Sequence, residues 1–386
     1  MRRTEEIGAV VVGTGFIGVV HVEALRRIGV RVCGVVGSSP ERGRQRAAEI
    51  GVPSYSSLDE ALADEDVDVV HVTSPNHLHH PQVKAILAAG RHVVCEKPLA
   101  LTSAETADLV AIAEASGLIH AVNFNIRFYP SCQHVRGLVE GGSLGELRMV
   151  TGAYLQDWLL DEDDWNWRLL PEQGGALRAV GDIGSHWLDL TRHVTGLELE
   201  AVLAELTTFL PVRRAPTGPV ETFSGGGAGE TTAQPIATED TASILLRFRG
   251  GARGSVTISQ ISPGRKNAIG FQIDGAAGAA AWNGERPGEL WLGHRGRPNE
   301  LLLSDPAANQ GAPVARLPAG HAEGFADTFS AMYRAVYADV AAGRPAADPV
   351  YATFADGHRE ALIGDAVAAS AREGRWVEIA ERVEST

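Results

Sequence analysis

The stretch Ile7-Gly8-Ala9-Val10-Val11-Val12-Gly13-Thr14-Gly15-Phe16-Ile17-Gly18 decides the predicted fold. Its first half is an apolar, β-branched run typical of a buried strand, and a helical pattern follows from about Ile17 to Arg27. Its second half is therefore a GxGxxG turn between a strand and a helix. Such a turn lets the backbone approach a pyrophosphate, and the helix N-terminus offers it free N–H groups. The motif predicts a dinucleotide site, and an ordinary glycine turn in a βα unit is the alternative interpretation.

Strands and helices continue to alternate after this turn. Strands are predicted at 30–36, 67–73, 92–95 and 119–123, and helices from Pro40 onward, at 80–89 and at 103–116. Recurrent strands joined by helical crossovers are the signature of a parallel, doubly wound sheet. We therefore predict an α/β chain whose N-terminal domain, 1–124, is a Rossmann fold.

From residue 125 the pattern changes to longer, alternating strands, which indicate an antiparallel or mixed sheet. A stretch rich in Pro, Gly, Thr and Ser, 213–239, is predicted to be a surface excursion. The second domain, 125–386, is therefore predicted to be a C-terminal α/β domain with a large, mostly antiparallel sheet. Its predicted strands are 147–155, 201–210, 242–248, 252–260, 268–273 and 290–293, and its predicted helices are 183–195, 324–342 and 353–373.

The composition excludes several classes of partner. The 386 residues include 34 Lys and Arg against 48 Asp and Glu, a formal net charge of −14. An acidic chain repels phosphate backbones and anionic lipids, so we expect neither nucleic acid nor a membrane as a partner. No apolar run reaches the roughly 18 residues of a membrane-spanning helix.

Cysteine usage and the first residues bear on the compartment. Cys33, Cys95 and Cys132 are far apart in the sequence and form no CxxC pair, which argues against a disulfide framework or a structural zinc site. Arg2 and Arg3 are followed by acidic residues rather than an apolar region, so no signal peptide is expected. We predict a cytoplasmic protein.

The end of the second predicted strand bears on cofactor choice. NAD-binding folds commonly place a carboxylate there to bind the ribose 2′-hydroxyl, but this chain has Gly37-Ser38-Ser39, with Arg42 about one helical turn later. We predict an NAD(P) site that slightly favours NADP over NAD, and we expect Gly37→Asp to shift the preference toward NAD. The alternative is that the nearby arginines form a solvated helix face: Arg42, Arg44 and Arg46.

Two other predicted strands end in polar motifs, Thr73-Ser74-Pro75-Asn76-His77-Leu78-His79 and Glu96-Lys97-Pro98. The C-terminal edge of a parallel sheet is where α/β proteins hold ligands. A lysine there can hydrogen-bond a substrate oxygen and favour its alkoxide, whereas an ordinary lysine is merely exposed. We predict a cis Lys97–Pro98 bond, which would turn the lysine away from the strand direction. The histidines of the first motif are cofactor-site or solvated loop residues.

In the second domain, Asp182 and His186 stand at i and i+4 of a predicted helix start and so share one face. An imidazole titrates near neutrality and can take a hydroxyl proton, and a neighbouring carboxylate can orient it. A helix-capping Asp and a structural His are the alternative. A metal site of His186, Asp189 and His193 is a second alternative, but nothing in the sequence completes its ligand shell, so no metal is predicted.

These motifs, in this order, resemble the glucose-fructose oxidoreductase and inositol dehydrogenase family, known as Gfo/Idh/MocA. The resemblance covers nearly the whole chain apart from 213–239. It implies a Rossmann domain followed by an α/β domain whose open sheet often forms an oligomer interface, here in a homodimer or homotetramer. The matching segments are Gly13 to Gly18, Thr73 to Asn76, Glu96 to Pro98, Asn125 to Phe128, Gly181 to His186, Glu239 to Ala242, Gly264 to Asn267 and Gly374 to Val377.

The resemblance also implies site residues. It assigns Lys97, Asp182 and His186 to catalysis. The expected cofactor-binding residues are Gly13, Thr14, Gly15, Phe16, Ile17, Gly18, Ser38, Ser39, Arg42, Thr73, Ser74, Pro75, Asn76, His79, Glu96, Lys97 and Arg127. The expected substrate-binding residues are Lys97, Asn125, Asp157, Trp158, Arg168, Asp182 and His186.

Substrates implied by the resemblance are sugars, inositols and related polyols. Trp158, Trp165 and Trp167 lie with Asp157 and Arg168 just before the Asp182 motif, and exposed tryptophan beside carboxylates suits such ligands. The alternative is that these tryptophans fix the loop to the sheet.

The leading functional hypothesis is an NAD(P)-dependent dehydrogenase or reductase. It moves a hydride between nicotinamide and a ring carbinol, with His186 as acid/base and Lys97 stabilising the alkoxide. Two alternatives stay open. One is an NAD-dependent glycosidase with no net redox change, and the other is a non-catalytic cofactor-binding sensor.

Overall fold

The computed structural model describes residues 2–218, 230–307 and 314–380, and they form two compact units. The first unit comprises the described residues of Met1–Asn125, Glu172–Gly175 and Ala326–Ala361, and the second comprises the remainder. The sequence prediction divides the chain once, at residue 124, and so places 172–175 and 326–361 in the second domain. Among the described helices, none is long and apolar enough to cross a membrane.

The first unit contains a six-stranded sheet. Its strands are β1 (Gly8–Val12), β2 (Arg31–Val36), β3 (Ser54–Tyr55), β4 (Val69–Val72), β5 (His92–Cys95) and β6 (His120–Val122). They pair in parallel in the order β3-β2-β1-β4-β5-β6. The chain direction through the sheet reverses between β1 and β4, which is the switch point of doubly wound dinucleotide folds. The predicted Rossmann class is therefore confirmed.

The helices of this part of the chain are α1 (Phe16–Arg27), α2 (Pro40–Ile50), α3 (Leu58–Ala63), α4 (His79–Ala88) and α5 (Ser103–Ser116). Local chemistry sets their ends. Ser39 Oγ accepts the Arg42 N–H at the start of α2, and Thr102 and Glu105 form a capping box on α5. The sequence prediction missed β3 and α3, because two and six residues are too few to show a period.

The second unit contains a large sheet. The described strands that follow β6 are β7 (Leu147–Leu155), β8 (Leu199–Thr207), β9 (Val212–Pro216), β10 (Thr231–Pro235), β11 (Thr241–Phe248), β12 (Arg253–Ser259), β13 (Ala268–Gly275), β14 (Ala279–Asn283), β15 (Glu289–Gly293), β16 (Glu300–Leu303) and β17 (Val377–Glu378). Nine of these described strands form the sheet, in the order β16-β15-β14-β13-β7-β12-β11-β8-β17, and among them only β7 and β12 pair in parallel. The predicted mixed, mostly antiparallel sheet is therefore confirmed.

Helices cover one face of this sheet, and in the described part of the chain most residues of the other, open face are partly or fully exposed. The covered face packs Val150, Ile258 and Ile273 with apolar residues of three helices in a single core. The helices that follow α5 are α6 (Pro130–Glu140), α7 (Pro171–Gly174), α8 (Ser185–Thr195), α9 (Phe325–Ala342) and α10 (Phe354–Glu373). Of these, α6, α8 and the C-terminal part of α10 contribute to that core. Because side chains alternate along a strand, the intervening residues face the other way.

The expected excursion at 213–239 is wrong at both ends. Strands β9 and β10 pair as an antiparallel hairpin, and residues 219–229 of this stretch lie outside the described residues. Arg213 is completely buried, and its guanidinium pairs with Asp240 at 2.9 Å, which compensates the buried charge. A polar, glycine-rich composition does not reveal that one of its arginines reaches an internal carboxylate.

Candidate active site

The glycine turn after β1 is held tightly by its neighbours. Gly13 has a φ of +107°, and the Thr73 hydroxyl donates to the carbonyl oxygens of Val12 and Gly13 at 2.9 and 3.0 Å. A Cβ on Gly18 would lie 2.2 Å from the Gly13 oxygen, closer than any real contact. Gly13 and Gly18 are therefore required by the turn itself.

Gly15 differs from its two neighbours in the motif. Its backbone is extended, with a φ of −72°, and a Cβ placed there would meet no atom of the described residues within 4 Å. It is also the N-cap of α1, and as a glycine it has no side chain that could cap the helix. Open space in front of a helix start that is not capped by its own N-cap residue fits the pyrophosphate of a dinucleotide. The first residues of this chain's motif are thus suited to hold NAD(P).

We expect Gly15→Val to weaken nucleotide binding at least tenfold while costing only about 1 kcal/mol of stability. The valine side chain occupies the open space, whereas the only folded-state cost is the lower preference for valine at an N-cap. Calorimetric titration with NAD⁺ and NADP⁺, together with a thermal melt, measures both. Gly18→Val is the matched control and should destabilise the fold, since its Cβ meets the Gly13 oxygen. Unchanged affinity in a well-folded Gly15→Val protein would remove the cofactor from this turn.

The end of β2 presents Ser38, Ser39 and Arg42. Ser38 is exposed, and Ser39 is occupied as the cap of α2. Arg44 and Arg46 pair with Glu41 and Glu49, whereas Arg42 is exposed and enters no ion pair with the described residues. Arg46 Nε also donates to the Thr14 oxygen at 3.2 Å. The three arginines are therefore not equivalent, and Arg42 is the one whose charge is not already engaged.

The structure corrects the expectation for Gly37. A Cβ on Gly37 would lie 2.5 Å from both Cα and N of Gly43 in α2. An aspartate cannot enter here without moving the first turns of α2, so Gly37→Asp is not a simple exchange of cofactor preference. Close packing of two glycines six residues apart is invisible in the sequence.

The ends of β4 and β5 are tied together by His79. This ring is fully buried, with Nδ1 2.8 Å from the Pro98 oxygen and Nε2 2.9 Å from the Ser74 oxygen. Burial lowers the pKa of His79, so the ring is neutral and donates to one carbonyl at a time. Asn76 is buried and donates to the Gly174 oxygen at 3.0 Å.

Glu96, Lys97 and Pro98 follow β5 directly. The Lys97–Pro98 bond is cis, as predicted. The Lys97 backbone N–H donates to Glu96 Oε2 at 3.1 Å, and Asn123 Nδ2 donates to Glu96 Oε1 at 2.5 Å. Burial alone would raise the pKa of Glu96, but hydrogen bonds from His21 and Asn123 and the charge of Lys97 hold it below its ordinary value. Glu96 is thus an ionised carboxylate inside the first unit.

In the second unit, Asp182 lies in a π-helical turn, Val180–Gly184, that leads into α8. The prediction of a regular helix start is therefore wrong, and the i, i+4 argument does not hold in its α-helical form. Such turns are rare and are frequent at functional sites. The Asp182 carboxylate accepts from Arg168 Nε at 3.0 Å and from Gln260 Nε2 at 2.9 Å. Arg168 is 14 residues away and Gln260 is 78.

His186 is the second residue of α8 and is 8% exposed. Its ring centroid lies 6.4 Å from that of Tyr154, whose hydroxyl donates to Asn267 Oδ1 at 2.7 Å. Burial raises the pKa of Tyr154, so this tyrosine is neutral. The predicted base therefore has a neutral tyrosine as a ring neighbour.

The tryptophan-rich loop shows features of both interpretations. Trp158 and Trp165 pack against a small core of Leu159, Leu169 and Ile236. Trp158 Nε1 nevertheless donates to Gln156 Oε1 at 2.9 Å, and the Arg168 guanidinium lies 4.3 Å from the centre of the Trp167 ring. Asp157 Oδ2 pairs with Lys266 at 2.6 Å, which lowers the pKa of the Asp157 carboxyl. Two of the tryptophans thus pack the loop against a small core, and its polar side chains are held by hydrogen bonds and ion pairs.

Two predicted ligand residues are buried in their own units. Asn125 donates to Thr328 Oγ1 at 2.7 Å in the first unit. Arg127 in the second unit forms a two-point ion pair with Asp189, with Nε 2.7 Å from Oδ2. His193 lies 2.9 Å from Gln133 Nε2. Asp189 and His193 thus have other partners, and the described ranges contain no cluster of three potential metal ligands.

Sequence reasoning missed a buried charge cluster beside the Asp182 turn. Arg178 and Arg213 both pair with Asp240, and all three side chains are completely buried. Glu239 accepts the N–H groups of Arg178 and Val180 at 3.1 and 2.9 Å and so holds the π-helical turn. The only sequence signal was Glu239-Asp240-Thr241-Ala242, which entered as a family motif without a role.

Two family models match this chain. The family model described as an oxidoreductase family with an NAD-binding Rossmann fold, GFO/IDH/MocA, matches residues 7–124. The model of the GFO/IDH/MocA C-terminal domain matches residues 132–281.

Named relatives support the same relationship. Levoglucosan dehydrogenase of Pseudarthrobacter phenanthrenivorans is 31% identical over 352 residues, 89% of this chain and 88% of that protein. A 1,5-anhydro-D-fructose reductase of Ensifer adhaerens is 33% identical over 50% of this chain and 56% of its own length. A solved levoglucosan dehydrogenase in complex with NADH and levoglucosan superposes with a TM-score of 0.87 at 29% identity, covering 97% of this chain and 100% of that one.

Proposed function

The chain belongs to the Gfo/Idh/MocA family of NAD-binding oxidoreductases, and from that premise we propose that it transfers a hydride between nicotinamide and a ring carbinol of a sugar or polyol. The observation that carries the proposal is that a buried histidine, His186, begins α8 directly after the π-helical turn that contains Asp182, an ion-paired carboxylate. Turns of this kind and buried titratable groups are both frequent at functional sites.

The roles follow from the chemistry of each group. The nicotinamide, when bound, accepts or donates the hydride. His186 takes the hydroxyl proton during oxidation and returns it during reduction. Lys97 hydrogen-bonds the same oxygen and stabilises its developing negative charge. Asp182, itself held by Arg168 and Gln260, orients the imidazole.

Other predicted site residues have supporting roles. The His79 ring lies within hydrogen-bond distance of the Ser74 and Pro98 carbonyl oxygens, so its role is to position the two cofactor loops rather than to touch the nucleotide. Arg127 and Asp189 stabilise the second unit through their buried ion pair. The open Gly15 position and the loops after β4 and β5 hold the nucleotide.

A substrate panel tests this function. Levoglucosan and 1,5-anhydro-D-fructose come first, because two relatives are named for them, followed by inositols, other sugars and their keto forms. Each is assayed with both nucleotides in both directions. Stoichiometric change at the absorbance band of the reduced nicotinamide supports the dehydrogenase. Cleavage of a glycoside without that change supports the glycosidase, and nucleotide binding without turnover across the panel supports the sensor.

For cofactor choice we propose that NADP is accepted and slightly preferred, with Arg42 binding its 2′-phosphate. We expect Arg42→Ala to weaken NADP⁺ by about 1–3 kcal/mol, the scale of a charge-assisted hydrogen bond, and to leave NAD⁺ nearly unchanged. Titration of both nucleotides measures this. Arg44→Ala is the matched control, because Arg44 already pairs with Glu41 on the same helix. Equal losses for the two nucleotides would contradict the assignment.

We also propose that the chain forms a homo-oligomer through the open sheet face of the second unit. Strand register places one cross-strand row on that face: Leu203, Leu245, Ser255, Thr151, Gln272, Ala281, Trp291 and Leu301. Leu245 and Leu301 are 48% and 60% exposed. Such a face, broad and partly apolar, is typical of a protein–protein interface.

We expect Leu245→Arg to convert the oligomer to smaller species in light scattering coupled to size exclusion, because the charge would be buried without a partner. Phe209→Arg is the control, since Phe209 is 61% exposed and lies outside the row. A wild-type monomer at micromolar concentration would refute the oligomer itself.

A further inference from the structure

A buried chain of hydrogen bonds runs through the first unit and ends at Glu96. Tyr337 Oη lies 3.0 Å from His71 Nε2, and His71 Nδ1 lies 3.0 Å from His21 Nδ1. His21 Nε2 lies 3.1 Å from Glu96 Oε1. Both histidines are completely buried, and the rings of Phe329 and Tyr333 pack against them. Neither histidine is needed by the proposed chemistry.

With Glu96 ionised and both histidines neutral, the contacts allow only one direction for each hydrogen bond in this chain. Two neutral imidazoles satisfy all contacts if Tyr337 donates to His71, His71 Nδ1–H donates to His21 and His21 Nε2–H donates to Glu96. Burial holds the pKa of His71 well below its ordinary value, which agrees with a neutral ring. In this arrangement Glu96 receives donors from His21, Asn123 and the Lys97 backbone and keeps its negative charge.

Glu96 stands where that charge affects the cofactor. It directly follows β5, which belongs with β4 and β6 to the second half of the sheet, whereas the glycine turn follows β1 in the first half. Dinucleotides bind outside the carboxyl ends of the strands with one mononucleotide on each half. The pyrophosphate-binding turn assigns the adenosine to the first half, so the nicotinamide falls to the second. Oxidised nicotinamide carries a positive charge that the reduced ring lacks.

We propose that Glu96, kept ionised by the His21–His71–Tyr337 chain, offsets the Lys97 ammonium and thereby allows the site to accept oxidised nicotinamide. This inference rests on the proposed function. Without the carboxylate, the lysine charge would repel the oxidised ring and leave the reduced ring unaffected. Glu96 is thus a determinant of which oxidation state the protein binds, and the two histidines and Tyr337 are positioning residues that act through it.

The test is equilibrium binding of NAD⁺ and NADH to the full chain by titration. We expect Glu96→Gln to weaken NAD⁺ about tenfold more than NADH, because the attraction between unit charges roughly 12 Å apart, at an effective dielectric constant of about 20, corresponds to a factor of about ten in affinity. Equal weakening of both nucleotides would mean that Glu96 is only structural and would overturn the inference. Failure of the wild-type protein to bind either nucleotide would instead refute the proposed function.

A second variant separates the chain from the carboxylate. The triple change His21→Phe, His71→Phe and Tyr337→Phe removes every polar group of the chain together and keeps its aromatic packing. We expect about a threefold shift toward NADH. Tyr351→Phe is the control, since this tyrosine is buried in the same unit but donates to Asp339. A triple variant with the wild-type ratio would overturn the role of the chain.

Nitrogen NMR of the histidine-labelled protein tests the chain even if the triple variant does not fold. We expect His21 to be a neutral Nε2–H tautomer and His71 a neutral Nδ1–H tautomer near neutral pH. Single His→Phe variants assign the two signals among the 13 histidines. An unprotonated His21 Nε2 would show that Glu96 carries the proton. An imidazolium at His21 would show that the negative charge of Glu96 is already balanced by His21. Either result overturns the proposal.

Discussion

His186→Ala is expected to lower turnover by roughly 10² to 10⁴ while leaving nucleotide affinity almost intact. Turnover falls because the imidazole supplies general acid/base catalysis, which is worth about that factor. Nucleotide affinity is kept because His186 lies on α8 in the second unit and not on the nucleotide-binding sheet. Steady-state rates with the best substrate of the panel and a cofactor fluorescence titration measure the two quantities separately.

The control for this variant lies on the same helix. His193→Ala should keep activity within a few-fold, since His193 contacts Gln133 and Arg136 and has no catalytic role here. His186→Gln keeps more of the side-chain volume and serves as the second variant if His186→Ala does not fold. If His186→Ala retained more than about half its activity at neutral pH, the histidine would be structural. Lys97 would then be the first candidate for the base, and Lys97→Ala would carry the larger loss.

Asp240→Asn is expected to destabilise the second unit by about 3–5 kcal/mol. Asp240 accepts from the guanidinium groups of Arg178 and Arg213 and from the Leu210 N–H, and none of the three charged side chains is exposed. Burial by itself raises the pKa of Asp240, but these arginines and the Leu210 N–H hold it below its ordinary value. The amide removes the carboxylate that the two buried guanidinium groups share, which is the costly way to break such a cluster.

Denaturant unfolding followed by tryptophan fluorescence measures this effect in the correct unit, because all seven tryptophans of the chain lie in the second unit. Asp163→Asn is the matched control. Asp163 pairs with Arg214, which follows Arg213 in β9, but the Asp163 and Arg214 side chains are both about half exposed. We therefore expect the free energy of unfolding to fall by less than about 1 kcal/mol. A loss of that small size for Asp240→Asn would show that the cluster is not an obligatory ion network.

The site could be predicted from the sequence only in part. Lys97, Asp182 and His186 were selected from motifs, and the cis Lys97–Pro98 bond was correctly expected. The partners of these residues were not foreseen. Gln260 reaches Asp182 across 78 residues, and His21 reaches Glu96 across 75. No local pattern encodes such pairs, because their distance depends on how whole elements pack.

The sequence by itself determined the elements and their class. The bounds of β5, α5 and β7 were predicted to the residue, since apolar period, glycine ends and capping residues act within a few positions. Tertiary structure alone decided three things: that Arg213 is an internal cation, that Gly37 packs against Gly43, and that Glu96 is a buried anion. Each follows from desolvation and close packing between distant segments, and these forces exist only once the chain has folded.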